Sequence, residues 1–287
     1  MNQSWTIGST LDWTIDYFIK NSILEPQLEA ELLLSSVLNC PRLNLHLEKN
    51  NIIPKEKLGI FKNYIIERKK RKPISYILGH KEFMGYRFKL NQHTLIPRPE
   101  TEILVETALK IINTKKNVNL ADICTGSGCI AISIAKLSAI SKIYATDICD
   151  NALHVAFENI NYHGLSGKIV LKKGDMFESL EGENIINGLD IIVSNPPYVA
   201  ENEFDALEPE LKHEPKIALY GGKDGLDFFK NLASNAKRYL KKGGFLIVEI
   251  NSNKSKEIVK IFKSNNYKIN KIIKDYSRLD RVIVAKL

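Results

Sequence analysis

The chain has 287 residues, enough for two domains, and its 44% hydrophobic and 26% charged residues suit a soluble globular protein that buries its core without staples. No apolar run reaches the ~18 residues of a membrane span, and the start, MNQSWTIGSTLDWTIDYFIK, lacks the basic-then-apolar order of a secretory signal, so no membrane partner is expected. The four cysteines form no C-x-x-C pair and the six histidines are scattered, which excludes a zinc site, predicts no bound metal and fits free thiols in a reducing, cytoplasmic compartment.

The net charge of +8 permits an anionic partner, although Lys beside abundant Asn and Ile also reads as biased base composition. Residues 9–72 read as helical. EPQLEAELLLSSVLN places Pro26 in a first turn, with Leu28, Leu32 and Val37 at helical spacing. PKEKLGIFKNYIIERKKRK runs from Pro54 to Pro73 with Leu58, Phe61, Ile65 and Ile66 on one face. Its basic end, Arg68 to Lys72, reads as a solvated helix terminus or as a contact for an anionic surface. YILGHKEFMGYRFKLN alternates and turns at Gly79 and Gly85, which predicts a hairpin. The expected division is a small all-α domain over 1–74, a β-hairpin linker over 75–95 and an α/β domain over 96–287. The last opens with the helix PRPETEILVETALKIIN, for which Thr101 is a candidate cap.

From about residue 118 strands and helices alternate: VNLADIC, GCIAISIAKLS, KIYATDI, NALHVAFENINYHG, KIVLKKGD, LDIIVS, GLDFFKNLASNAKRYL and GFLIVEI. That order predicts a doubly wound parallel sheet. YKINKIIKDY and RVIVAKL are separated only by SRLD, too short for a crossover, so the last two strands should pair antiparallel.

DICTGSGCIA falls at a strand-to-helix turn, where Gly126 and Gly128 let backbone approach a ligand. Asp147 ends the next strand, 21 residues after Gly126, where a carboxylate can hold both ribose hydroxyls. Asp175 ends the third strand, within reach of an adenine. Turn glycines and capping aspartates are the structural alternative. The segment GSGCIA also fits a dinucleotide fingerprint, but the antiparallel last pair favours S-adenosyl-L-methionine. The motif after LDIIVS favours it further.

That motif is Asn195-Pro196-Pro197-Tyr198. The prolines end the strand and stiffen the turn. The Asn195 side-chain oxygen and the Pro196 carbonyl then form two fixed acceptors, a match for one –NH₂ group on a planar system. The Tyr198 ring can stack on that plane near a sulfonium methyl. A strand-ending loop with a packed Tyr is the bland alternative.

NPPY after DIIVS resembles the amino-group methyltransferases of DNA, RNA and protein. Together with LIPRPETEILVE, YILGHKEF, CTGSG and ALYGGKDGLDFF, it makes the chain from about Glu25 to Leu287 similar to the protein-(glutamine) methyltransferases of peptide-chain release factors. The resemblance implies a helical substrate-recognition domain, a hairpin linker and a class I, Rossmann-like methyltransferase domain. It also implies methylation of the glutamine in the Gly-Gly-Gln motif of release factors, with S-adenosyl-L-homocysteine as the other product. By position, Cys124, Thr125, Gly126, Ser127 and Gly128 would line the methionine and ribose, and Asp147 would hold the ribose. Asp175 and Met176 would flank the adenine, and Asn195 would also border the cofactor. Asn195 through Tyr198 would hold the glutamine amide and carry catalysis. Arg98 and Glu100 would lie near the substrate, or form a salt bridge at the domain junction.

Two departures stand out. Cys124 replaces the first glycine of many relatives, which implies a loop without a glycine-only conformation there. EINSNK replaces a Glu-Ile-Gly…Gln pattern, with Asn251 able to adopt a left-handed turn and Lys254 in place of Gln. A ribosomal-protein glutamine, an exocyclic amine of RNA or DNA, and a cofactor-free binding module remain the rivals. No RNA-binding domain is recognisable, so no direct nucleic-acid substrate is expected, and the protein should be a monomer.

Overall fold

The computed structural model describes residues 5–287, so residues 1–4 of the expected helical domain lie outside it. The chain divides into a helical unit, which runs to Gly79 and includes Pro209–His213, and a larger unit of His80–Glu208 and Glu214–Leu287.

The helical unit contains α1 (Ile7–Lys20), α2 (Pro26–Leu38), α3 (Arg42–Leu47), α4 (Lys55–Lys69) and α5 (Ile74–Leu78). Thr6 and Ser9 form a capping box at the start of α1. The unit's core is built on Phe18, Leu33, Leu34, Leu45 and Phe61. In α2 the buried face is Ala30, Leu33 and Leu34, while Leu28, Leu32 and Val37 are half-buried. Apolar residues surround that helix, so spacing alone does not select its inner face. In α4, Phe61 and Ile65 are buried, Leu58 is half-buried and Ile66 is exposed. The basic run after it is not simply solvated. Arg68 is only 3% exposed and binds Glu29 and Glu210, and Arg71 donates to Glu210 and to the Ser22 carbonyl.

Tyr76–Leu78, expected at the start of a hairpin, belong to α5, which follows Pro73 and ends on Gly79 in the left-handed region. The larger unit then begins with the hairpin β1 (His80–Phe83) and β2 (Tyr86–Lys89). Its two-residue turn, Met84-Gly85, has positive φ at both positions, the type I′ geometry that matches strand twist.

There follow α6 (Pro99–Ile112), β3 (Asn119–Ile123), α7 (Cys129–Leu137), β4 (Lys142–Asp147), α8 (Asp150–Tyr162), β5 (Ile169–Lys173) and β6 (Leu189–Ser194). Short 3-10 turns lead to α9 (Lys216–Leu219), α10 (Asp227–Tyr239), β7 (Leu240–Glu249), α11 (Ser255–Ser264), β8 (Lys268–Lys274) and β9 (Asp280–Lys286). The sheet order is β5-β4-β3-β6-β7-β9-β8. The first five strands are parallel, β9 runs antiparallel to β7, and β8 pairs antiparallel with β9 at the edge.

Alternate residues face opposite layers. Leu120, Ile191 and Ile247 join α6 and α7 in one core, and Ala121, Ile192 and Leu246 join α10 and α11 in the other. The chain order reverses between β3 and β6, where Ile123 is in register with Ser194, and Ser194 with Val248. Three loops therefore leave the sheet side by side, beginning at Cys124, Asn195 and Ile250.

Candidate active site

The loop from β3 to α7 is shaped by three positive φ angles, at Cys124 (63°), Gly126 (55°) and Gly128 (80°). The left-handed conformation is thus required at Cys124 after all, contrary to what a non-glycine residue implies. Gly128 caps α7, and a Cβ there would lie 3.2 Å from Ile132 Cδ1 and 3.4 Å from Ala156 Cβ, so α7 and α8 pack closely at this point. The buried Thr125 locks the loop, since its N–H donates to the Thr146 carbonyl (2.9 Å) and its hydroxyl to Asp122 Oδ2 (2.6 Å). Burial pushes the Asp122 carboxyl up to about 7, against the hydrogen bonds of Thr125 and the Ala131 N–H.

Asp147, at the end of β4, accepts from the Gly126 N–H through Oδ2 and from the Cys149 N–H through Oδ1, both at 2.9 Å. Burial raises its pKa, and these N–H groups oppose the rise. Each oxygen keeps a lone pair for a further donor. Burial also pushes the Cys124 thiol well up and the Cys129 thiol up to about 12, which leaves both protonated and poor nucleophiles.

A cavity of about 240 Å³ opens beside this loop. Of the expected cofactor residues, Cys124 through Ser127, Asp147, Asp175 and Met176 line it, while Gly128 stands behind in the helix cap. Asp175 lies two residues beyond β5 and is exposed. Asn195 and Pro197 line the cavity; Pro196 and Tyr198 do not. Nor do Arg98 and Glu100: Arg98 forms its ion pair with Glu214, which also accepts from the Ile96 N–H (3.0 Å) and so fixes the segment before α6.

Thr101 is not a cap. Arg98 holds that position without a side-chain hydrogen bond, and Thr101 is buried in the first turn of α6, where its hydroxyl accepts from Asn195 Nδ2 (3.2 Å). The Tyr198 hydroxyl reaches Glu249 Oε1 at 3.5 Å. Glu249 is 1% exposed, and burial pushes its carboxyl up to about 7 while the hydroxyls of Thr101 and Tyr198 and the charge of Arg281 work the other way. Thr101 and Glu249 were missed as site residues. Their signals were the PRPETE segment and the position of Glu249 at a carboxyl strand end beside Asn195.

Asn251 is not left-handed (φ −72°); its side chain instead accepts from the Asn253 N–H at 3.0 Å. Lys254 donates to the Asp224 carbonyl (2.6 Å) and lies 3.7 Å from Glu203, which ties this loop to the one before α10.

The cavity fits S-adenosyl-L-methionine in kind. It offers a polar glycine turn, a carboxylate with spare lone pairs, and Ser127 Oγ, a buried lining atom without a hydrogen-bond partner. A reversed parallel sheet with an antiparallel last pair, carrying this turn and an Asn-Pro-Pro-Tyr loop at adjacent strand ends, defines a class I S-adenosyl-L-methionine-dependent methyltransferase. The fold is shared with a methyltransferase from Pyrococcus furiosus (TM-score 0.52, 19% identity, 78% of this chain and 96% of that one). Residues 9–79 match the family described as PrmC N-terminal domain, and residues 99–220 the Methyltransferase small domain.

The chain belongs to the release factor glutamine methyltransferases. It is 38% identical to the enzyme of that name from Fusobacterium nucleatum over 275 residues (95% of this chain, 77% of that protein) and 38% identical to that from Clostridium acetobutylicum over 260 (90% of each). The Geobacter sulfurreducens enzyme is 34% identical over 284 residues, 99% of this chain and 97% of that protein. Among the described residues no helix is long and apolar enough to cross a membrane.

Proposed function

We infer that this protein transfers a methyl group to the side-chain amide nitrogen of the glutamine in the Gly-Gly-Gln motif of peptide-chain release factors. The observation that carries this reading is the shared border of one cavity. Asp147 and Asn195 both line it, with Asn195 Nδ2 engaged by Thr101 so that Oδ1 remains as an acceptor. When bound, S-adenosyl-L-methionine supplies the methyl group on its sulfonium and leaves as S-adenosyl-L-homocysteine. Residues Cys124 to Gly128 would follow its methionine and ribose, Asp147 would accept from the ribose hydroxyls, and Asp175 and Met176 would flank the adenine.

In this reading Asn195 Oδ1 and the Pro196 carbonyl accept the two N–H bonds of the glutamine amide, and the Tyr198 ring backs its plane. An amide nitrogen is a weak nucleophile, so alignment for in-line displacement supplies most of the rate. The nitrogen becomes strongly acidic as it gains carbon, and its proton needs no dedicated base. Arg98, held by Glu214, keeps the segment before α6 in place rather than touching the amide. The free cysteines suit a reducing compartment, and we place the enzyme in the cytoplasm with its substrates.

Radiolabelled methyl donor, supplied in parallel with purified release factors, ribosomal proteins and RNA, tests the reading. The label should appear on the release-factor glutamine. Label confined to ribosomal protein or RNA would replace the substrate.

A further inference from the structure

The net charge of +8 is not spread along the chain. Residues 236–287 hold 14 of the 41 Lys and Arg and only 4 of the 33 Asp and Glu, while the rest of the chain, with 27 and 29, is slightly acidic. A biased base composition raises lysine everywhere and does not remove acids from one segment, so it does not account for this pattern. Of the four acids, Glu249 is buried, and Asp275 and Asp280 pair with Arg281 and Lys274. The fold then gathers cations at one place. Lys268 stands in register with Lys286, and the Gly243 N–H donates to the Leu287 carbonyl (3.1 Å), which sets Lys242 beside that pair. Lys115 and Lys286 lie over the same Phe245 ring, at 5.3 and 5.7 Å. Lys115 (3.7 Å) and Lys241 (2.6 Å) share the Asp190 carboxylate. Lys242, Lys268 and Lys286 are exposed and have no carboxylate partner among the described residues.

We propose that this face docks a nucleic acid through its phosphate backbone. The lysines stand at the starts of β7 and β8, at the end of β9 and on the approach to β3. Strand directions put all of these at the end of the sheet opposite the carboxyl strand ends that carry the cofactor cavity. A nucleic acid held there is therefore not the methyl acceptor, and it leaves the cavity open. Like charges gathered this closely repel one another, and an anionic partner relieves the repulsion. The residue type decides which anion. Lysine is depleted from protein–protein interfaces, whereas a compact point charge on a flexible stem suits a row of phosphates. Lys242, Lys286 and Lys268 cross three adjacent strands, a row about 10 Å long by strand spacing. That length matches about three phosphates at roughly 3.4 Å per step of a duplex. Phe245 lies under two of the lysines, so its ring is not a platform for stacking bases. Contact is with the backbone and carries no sequence preference.

Fluorescence anisotropy on the full-length enzyme tests this. A labelled single-stranded RNA of mixed sequence should bind measurably at about 50 mM salt and about 50-fold more weakly at about 200 mM, the fall expected when some four phosphates are neutralised. The same strand as DNA should bind within about threefold, since phosphates alone are held. The triple variant K242Q/K268Q/K286Q should lose about tenfold or more in affinity at the lower salt, and its salt slope should shrink by about 2. Its methyl transfer to release factor should be unchanged, which also shows that it folds. K20Q/K49Q/K62Q removes the same charge from exposed positions of the helical unit and should bind RNA within about twofold of wild type. Absence of RNA binding by the wild type would overturn the proposal. So would equal losses in the two triple variants, which would mean that net charge and not this face binds. Vesicles containing phosphatidylserine and polyglutamate are the membrane and acidic-protein arms, and tighter binding of either than of RNA would refute the choice of partner. A raised KM for release factor in K242Q/K268Q/K286Q would assign the face to the protein substrate instead.

Discussion

Asp147 holds two backbone N–H groups, those of Gly126 and Cys149, so its carboxylate shapes the glycine turn as well as offering acceptors to a ligand. Removing it by Asp147→Ala loses charge-assisted hydrogen bonds, each worth about 1.5–3 kcal/mol, and frees the loop. S-adenosyl-L-methionine should bind at least tenfold more weakly by this measure, with release-factor affinity much less affected. Unchanged affinity in calorimetry would refute the ribose assignment. Asp147 was legible because strand-end position and spacing after a glycine turn are properties of sequence. Cys124 was misread because φ is not. A single non-glycine residue sits in the left-handed region at a cost of about 1–2 kcal/mol when its surroundings hold it there, and here Thr125 and Ser194 anchor either side.

The Asn-Pro-Pro-Tyr loop is held as an element. After Tyr198 the chain forms a parallel bridge with the segment following α9: the Val199 N–H donates to the Leu219 carbonyl (2.8 Å), and the Gly221 N–H to the Val199 carbonyl (2.9 Å). Gly221 is needed for closeness, since a Cβ there would lie 2.7 Å from Tyr198 Cα and 2.8 Å from the Pro197 carbonyl oxygen. Both of those atoms are backbone and cannot swing away. Gly221→Ala should therefore push the loop off Asn195's position, lowering turnover about a hundredfold. The stability cost should be only about 1–3 kcal/mol, as overpacking does elsewhere. Rapid-quench transfer rates alongside denaturant unfolding separate the two, and wild-type turnover in this variant would mean that the loop is not held from this side. The alternation that suggested a strand over Tyr76–Leu78 was outweighed by its punctuation: Pro73 before and Gly79 after enclose a single helical turn. The antiparallel final pair followed from the brevity of SRLD. The insertion of β9 between β7 and β8 did not, because loop length constrains direction and leaves strand order open.

For the whole molecule, the distribution of buried carboxyls sets how stability depends on pH. In the larger unit Asp122 and Glu249 titrate at about 7, and Asp147 is also raised, chiefly by burial. A carboxyl with a raised folded pKa binds its proton more tightly in the native state. Its contribution is complete below the unfolded pKa and is lost as pH rises through the folded one. For Asp122 and Glu249 that loss spans about pH 4 to 7. Burial lowers the pKa of His163, which works in the opposite sense below 6.5, but it is a single, partly exposed group against three carboxyls.

The helical unit differs. Its shifted carboxyls are all depressed: Glu31 and Glu210 by Arg42 and Arg68 in spite of burial, and Glu67 by Lys70 and Lys72. Their stabilisation is lost only as pH falls below about 4.5, the ordinary glutamate value. The two tryptophans of the chain, Trp5 and Trp13, both belong to this unit, so fluorescence reports its unfolding. Between pH 5 and 8 the fluorescence midpoint should hardly move, while the circular-dichroism melt of the larger unit should fall by about 5–10 °C, the scale expected for a few kcal/mol in a domain of this size. Asp122→Asn removes one of the two carboxyls that titrate near 7 and keeps an acceptor for the Thr125 hydroxyl, so it should halve that slope and raise the midpoint at pH 8. An unchanged slope in Asp122→Asn would show that this β3 carboxyl is ionised throughout, with Thr125 and the Ala131 N–H outweighing its burial.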